Sequence, residues 1–319
     1  MFRLVLSTLI TLVLFSGSVC AEVFEGFWKA MPPAPTARTE GAAAFLDGKI
    51  YVIGGFTSKG IADKVEVLDL KTGSWAEVSP LPRPLHHTSA LAVNGRIYVI
   101  GGFHSGLWTP VASVYEYDPA ADQWREKRSM PTARGAMAAG VIGGKIYVVG
   151  GAHKKFLHLV NTDANEVYDP AADRWRKLRP IPTPRDHLTV STYKGILYAI
   201  GGRVDVDYQK NLNRNEAYDP KTDRWTQRNP LPTARSGIAS QVLDGKIFVM
   251  GGEAEGGTFR ENEAYDPETD SWTVMQPMPE GRHGLGSAVV ADEIHTLTGG
   301  PKPGGGGSGL YRVFSLKKP

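Results

Sequence analysis

The sequence predicts an all-β protein built as a ring of six blades, each of four antiparallel strands, and three recurrences predict it. A short apolar strand ending in Gly-Gly appears as Ile50-Tyr51-Val52-Ile53-Gly54-Gly55. It returns at Ile97 to Gly102, Ile146 to Gly151, Leu197 to Gly202 and Ile247 to Gly252, and in looser form at Ile294 to Gly300. Successive Gly-Gly pairs lie 47, 49, 51, 50 and 48 residues apart. Trp28, Trp75, Trp124, Trp175, Trp225 and Trp272 keep one register, and a tyrosine stands seven residues before each of the last four. A period near 50 with short strands marks propeller blades stacked around an axis.

In chain order, the first element is a leader. Arg3 precedes an apolar run from Leu4 to Phe15, and small residues lead to Val19-Cys20-Ala21. A basic start, a short apolar stretch and a small-residue end predict a secretory signal peptide over residues 1–21, with a periplasmic or secreted product. The run is short for a membrane span of about 20 residues. The rival is a lipoprotein leader ending at Cys20, which would tether the protein to a membrane. Cleavage after Ala21 removes the only cysteine and one positive charge, turning +3 into +2. Thiol chemistry is then excluded, and so mild a charge predicts neither nucleic acid nor a membrane as partner. One repeat pattern runs from residue 22 to 319, which predicts a single, monomeric domain.

Each period then reads as four strands. The innermost is small and apolar, as in Gly41 to Leu46. Asp47-Gly48, Asn94-Gly95, Gly143-Gly144 and Asp244-Gly245 follow, pairs suited to type I′ hairpins that need positive φ. The Gly-Gly strand is second, a strand ending in Tyr-Asp-Pro third, and the tryptophan strand fourth. With all joined by short connections, four antiparallel strands make a blade.

The Gly-Gly pairs, the six tryptophans and the four tyrosines together resemble the kelch-repeat β-propeller family over the whole of residues 22–319. After Gly299-Gly300 a third strand, Leu310 to Phe314, has no tryptophan strand behind it, whereas Trp28 precedes any Gly-Gly. Val23 to Lys29 is therefore expected to complete the sixth blade, pairing both ends of the chain in one sheet.

Candidate functional residues come from comparing the six periods. Ten residues after each tryptophan stand Arg38, Leu85, Arg134, Arg185, Arg235 and Arg282. Five arginines at equivalent places read either as an anion-binding ring at the channel mouth or as braces holding their own loops through backbone carbonyls. Loops after Gly-Gly should emerge on the same face. Seven of the eight histidines fall there or at the start of an inner strand, among them His86, His87, His187 and His283. Their spacing matches no metal motif, so no metal site and no cofactor is expected. Trp108 alone lies outside the tryptophan register, to stack on a ligand or to pack on its blade. Glu253 is the only carboxylate directly after a Gly-Gly.

Two functions are compatible with this face. One is a binding module for a protein or glycan partner with acidic groups, held by the arginines, the histidines and Trp108. The other is a carbohydrate-active enzyme with Glu253 as general base. Its placement resembles the acidic residue of the periplasmic sialic-acid mutarotase branch of kelch proteins, from which the chain departs in lacking long loop insertions. The copper-radical galactose oxidases, also kelch-related, use a tyrosine cross-linked to cysteine, which the mature chain lacks.

Overall fold

A computed structural model of the chain describes residues 24–106 and 108–317, and every regular element among them is a strand. The leader expected at 1–21, Cys20 included, lies outside the described residues. The first blade is Ala42–Leu46, Lys49–Ile53, Val65–Asp69 and Ser74–Val78, hydrogen-bonded in that order from the axis outward. Four blades of the same order follow, ending with Ala239–Leu243, Lys246–Met250, Asn262–Asp266 and Ser271–Val274. In the sixth, Gly286–Val290, Glu293–Leu297 and Tyr311–Ser315 are completed by Phe27–Met31 as the outermost strand. Trp28 pairs with Phe314, so the two ends of the chain close the ring in one antiparallel ladder as expected, though the closing strand runs Phe27–Met31 rather than Val23 to Lys29.

The alternation of the strands explains the core. In the second strands, Ile50, Val52, Ile97, Val99, Ile146 and Val148 are essentially inaccessible, sandwiched between adjoining blades. Innermost strands carry Ala, Ser, Thr and Gly because six of them converge on the axis, and they leave a hydroxyl-lined channel through Ser89, Thr189, Ser191, Ser240 and Ser287.

The recurrent tryptophans are seam residues. Indole N–H groups of Trp124, Trp175, Trp225 and Trp272 donate to Ser79, Arg128, Arg179 and Asn229 carbonyls of the preceding blade, at 2.8–3.0 Å. Trp28 does the same across the closure, donating to the Gln276 carbonyl at 2.9 Å.

One register differs from the sequence reading. In the sixth blade Thr298 and Gly299, with φ of 59° and 98°, take the left-handed pair of positions that Gly54 and Gly55 hold in the first. Gly300 instead bridges to His283, as Phe56 bridges to Thr39. The structural pair is therefore Thr298-Gly299, one residue earlier than the Gly299-Gly300 dipeptide.

Around the mouth the blades are joined by a closed circuit of backbone hydrogen bonds. Glu40 N–H donates to Gly284 O, His87 to Glu40, Ala136 to His87, His187 to Ala136, Gly237 to His187 and Gly284 to Gly237, at 2.8–3.0 Å. All six residues have positive φ, between 51° and 66°. Glycine takes this conformation freely, whereas Glu40, His87 and His187 adopt it at a cost. Their side chains stand at the floor of the mouth.

Candidate functional site

The connections after Gly-Gly rise above that circuit. Four of the six are two-stranded hairpins rather than irregular loops, at Phe56–Ile61, Phe103–Pro110, Ala152–Asn161 and Glu253–Thr258. They wall a pocket of about 850 Å³, lined among others by Glu40, Phe56, His87, Trp108, His187, Arg203, Tyr208, Glu253, His283 and Gly304. That is within the roughly 300–1,000 Å³ of small-molecule sites.

Glu253 is 2% exposed. Its Oε1 accepts from Arg203 Nη1 at 2.8 Å, and its Oε2 accepts the Gly304 N–H at 2.7 Å and lies 3.4 Å from His283 Nδ1. Burial pushes this carboxyl up, but His283, the Gly304 N–H, Arg203 and His187 together outweigh it and hold the pKa below the ordinary value. Glu253 is thus a carboxylate at neutral pH, a base rather than an acid.

Arg203 ties three groups. Besides Glu253, its Nε donates to Asp186 Oδ1 at 3.1 Å and its Nη2 to His187 Nε2 at 3.0 Å. His187 Nδ1 in turn bonds Asp186 Oδ1, so its ring carries the proton on Nδ1 and offers Nε2 as acceptor. Desolvation raises the Asp186 pKa, but His187, Arg203 and Asn161 prevail and lower it.

On the other side of the floor Glu40 Oε2 lies 3.3 Å from His87 Nε2, and Glu40 Oε1 lies 3.9 Å from His283 Nε2. Burial, reinforced by the neighbouring His187, His86, Arg203 and His283, drives His87 well below its ordinary pKa. His87 is therefore neutral, and its contact with Glu40 is a polar approach rather than an ion pair. With Nε2–H facing Glu40, its Nδ1 accepts from His86 Nδ1 at 2.5 Å. His86, pushed down to about 3 by burial and by His187, then keeps a bare Nε2 with no partner.

The candidates separate cleanly. Glu253, His87, His187, His283 and Trp108 meet in the pocket. His86 lies behind it, fully buried, with its ring 4.1 Å from that of Phe56. Trp108 packs on its blade, 5.3 Å from Phe103, and also lines the pocket beside Phe56.

The arginine ring is a correction. Arg38, Arg134, Arg185, Arg235 and Arg282 are fully buried within their blades and none lines the pocket. Arg134 pairs with Glu166 and Arg185 with Glu216, both at 2.5 Å, and Arg38 and Arg235 pair likewise with Glu66 and Glu263. Further N–H groups donate to carbonyls such as Val148 O, Ala199 O and Val249 O, while the Nε of Arg38, Arg134 and Arg282 meets no partner. Arg282 has no glutamate; it donates to Thr298 O, Leu310 O and Thr296 Oγ1, and burial pushes it down to about 10. They are braces, and the mouth they were expected to make cationic is not.

Glu40, Arg203, Asp186, Phe56 and Tyr208 escaped the sequence reading. The signal was present in the same alignment of periods. Phe56, Phe103, Ala152, Arg203 and Glu253 share the place after Gly-Gly, and Glu40, His87 and His187 share the place two residues after the arginine position. Positions that vary most between blades, not those that recur, line the pocket.

The KLHDC2/KLHL20/DRC7 Kelch-repeats domain matches the chain over residues 26–181 and 130–300. The chain belongs to the kelch-repeat family. Among solved structures the kelch propeller of YjhT superimposes with a TM-score of 0.76 at 16% identity, covering 89% of this chain and 96% of that one. At this identity the likeness speaks for the fold alone. No curated protein matches in sequence. Kelch propellers share a scaffold on which the mouth loops set the chemistry, so function is read from the pocket.

Proposed function

We propose that this kelch propeller is an exported carbohydrate-binding protein whose mouth pocket takes one or two sugar units. The observation that carries the reading is the pocket's two-sided lining. Phe56 and Trp108, with ring centroids 6.1 Å apart, form an apolar wall, while Glu40, Arg203, Glu253 and His283 offer polar groups on the other side. A pyranose has the matching shape, an apolar face for stacking and a rim of hydroxyls that donate to carboxylates.

Charge narrows the class. Counting only the carboxylates and the guanidinium, Glu40, Glu253 and Asp186 against Arg203 leave a net of −2, since 3 − 1 = 2. A neutral or amino sugar suits this pocket better than a sugar acid. Calorimetric titration of a panel of neutral, amino and acidic monosaccharides and short glycans tests it. Binding is expected for neutral or amino sugars and to be lost in Trp108→Ala. Binding confined to sugar acids, or none across the panel, overturns the reading.

A second reading, sugar mutarotation or epimerisation, is favoured by Glu253 being a buried carboxylate beside His283. A carboxylate base and an imidazole 3.4 Å apart are what proton transfer to and from a ring oxygen and an anomeric hydroxyl needs. Anomeric exchange measured by NMR, abolished in Glu253→Gln with binding retained, would establish it. Export is checked by mass spectrometry of the mature chain: a start at Glu22 supports it, whereas a lipidated Cys20 makes the protein a tethered one.

A further inference from the structure

We propose that the floor of the mouth is a site for a divalent transition-metal ion, with Glu40, His87 and His187 as its protein ligands. One ligand atom from each of the three lies within 4.8 Å of the others, and both imidazoles are buried. Three residues from three blades meet here because each occupies the same left-handed position in the backbone circuit.

The imidazoles are oriented as metal ligands are. A ligating histidine usually donates its other ring N–H to a carboxylate, a backbone carbonyl or a water, which fixes ring and tautomer. His187 Nδ1 is held by Asp186, and His87 Nδ1 by His86. Both rings are thereby anchored on Nδ1, which leaves Nε2 as the ligand atom; His87 Nε2 already lies 3.3 Å from Glu40, and His187 Nε2 is held by Arg203. For His87 to ligate, its Nε2 proton moves to Nδ1 and is donated to His86 Nδ1, whose own proton moves to the partnerless His86 Nε2. For His187, Arg203 Nη2 moves off Nε2 and keeps its bonds to Asp186 and Glu253.

Charge points the same way. Among the described residues Glu40 meets no Lys or Arg; within 4 Å its oxygens meet only His87 and His283. It belongs to the group of three carboxylates that Arg203 alone offsets, leaving −2, which a divalent ion brings to zero. A half-buried carboxylate without a cation carries a desolvation cost that a bound ion offsets. Two imidazoles and one carboxylate suit Zn²⁺, Fe²⁺ or Co²⁺, whereas Ca²⁺ and Mg²⁺ prefer all-oxygen sets. The coordination positions left open face the pocket, where an ion would polarise a ligand oxygen.

This site goes beyond the carbohydrate reading and does not rest on it, so it is tested without sugar. The chelator-treated mature protein is titrated with Zn²⁺, with Co²⁺ and, as contrast, with Ca²⁺. One Zn²⁺ per chain is expected, bound at least about 100-fold tighter than Ca²⁺. Glu40→Gln and His87→Gln should each weaken Zn²⁺ about 100-fold. Asp186→Asn should weaken it about 10-fold or more through His187, and the exposed His158→Ala should leave it unchanged. Because the variants could perturb the mouth, crystals of the unaltered protein soaked in Zn²⁺ give an independent readout. An anomalous peak bonded to Glu40 and the Nε2 atoms of His87 and His187 supports the site. A peak only at His104, His153 or His158, or no peak, overturns it, as does Zn²⁺ affinity unaltered in both folded variants.

Discussion

Arg203 and Glu253 hold the same place in adjacent blades, directly after the Gly-Gly exit, and their side chains meet across the seam at 2.8 Å. In the first two blades that place holds Phe56 and Phe103. A single position of the repeat thus supplies Phe56 of the aromatic wall, and Phe103 packed behind Trp108, on one side of the mouth and the ion pair on the other. The asymmetry of the site comes from substitutions within a symmetric frame.

Both partners of that pair are nearly inaccessible, with side chains 6% and 3% exposed. Removing one leaves the other charge under-compensated, a change that costs about 3–5 kcal/mol in buried pairs. Glu253→Gln keeps shape and hydrogen bonding, so about 2 kcal/mol is expected, and about 3 for Arg203→Met, which also strips Asp186 of its guanidinium. The double variant should cost less than the sum by about 1–2 kcal/mol. Urea unfolding of all four proteins measures this; strictly additive losses would show that the contact is not coupled.

Arg134 illustrates the recurrent brace. Its guanidinium bonds Glu166, Thr132 O and Val148 O from a fully buried position. Arg134→Met should destabilise by about 3–5 kcal/mol by stranding Glu166. Ligand affinity measured well below the melting temperature should not change. A variant of unaltered stability that loses acidic ligands would restore the mouth-ring reading of these arginines.

The blades were legible because their devices repeat. Six tryptophans in register mean six seams, and a brace that appears five times announces its own structural role. The closure at Trp28 was legible from what the last period lacks. The pocket was only half legible, and for a related reason. Glu253, His87, His187, His283 and Trp108 stood out as exceptions to the repeat, yet Glu40 and Arg203 did not, since a charged residue near a loop looks ordinary until its neighbours are known. Nor does spacing along the chain reveal that residues 40, 87 and 187 are brought side by side. That proximity is made by the hydrogen-bond circuit, whose donors and acceptors are backbone groups carrying no sequence mark.

Closure makes the N-terminal strand sensitive. Trp28 packs 5.1 Å from Phe314 and donates to Gln276 O. Trp28→Ala should cost about 3 kcal/mol. Gly26→Ala should also be costly, since a Cβ there would sit 2.2 Å from Phe314 Cζ and φ is +96°. Thermal melts check both. Wild-type stability in a chain truncated before Pro32 would show that the sixth blade does not need this strand.

Acid should weaken the fold through His295, which burial pushes down to about 4. Its Nδ1 lies 2.6 Å from Tyr311 Oη and its Nε2 3.7 Å from Glu293 Oε2. An unfolded histidine titrates near 6.5. Between about 6.5 and 4 the unfolded chain therefore binds a proton that the folded chain refuses. Stability from this group is complete above 6.5, falls as pH drops through that value and levels off below about 4. From pH 7 to pH 5 the loss should be on the order of 2 kcal/mol. His295→Gln should remove that part of the slope; an identical acid limb in the variant would assign it elsewhere.

Thr298 occupies a position that five blades give to glycine, at Gly54, Gly101, Gly150, Gly201 and Gly251. At four of those glycines, Gly54, Gly101, Gly150 and Gly251, an added Cβ would meet a carbonyl oxygen of the next blade at 2.5–2.6 Å. Thr298 carries that Cβ at φ 59°, a left-handed conformation that costs a β-branched residue on the order of 1–3 kcal/mol. Its Oγ1 is buried without a partner, a further penalty of about 1–3 kcal/mol. Against these stand the buried methyl, about 0.8 kcal/mol, and the extra chain entropy of glycine, about 0.5–1 kcal/mol. Arg282 bonds the Thr298 carbonyl, which the substitution keeps. The stabilising and destabilising effects leave a balance of about 2 kcal/mol in favour of glycine, so Thr298→Gly should raise the melting temperature. The reverse change, Gly54→Thr, should lower it by more. A loss of stability in Thr298→Gly would mean that this side chain holds the seam between the last blade and the first, and that the ring closes through Thr298 as well as through Trp28.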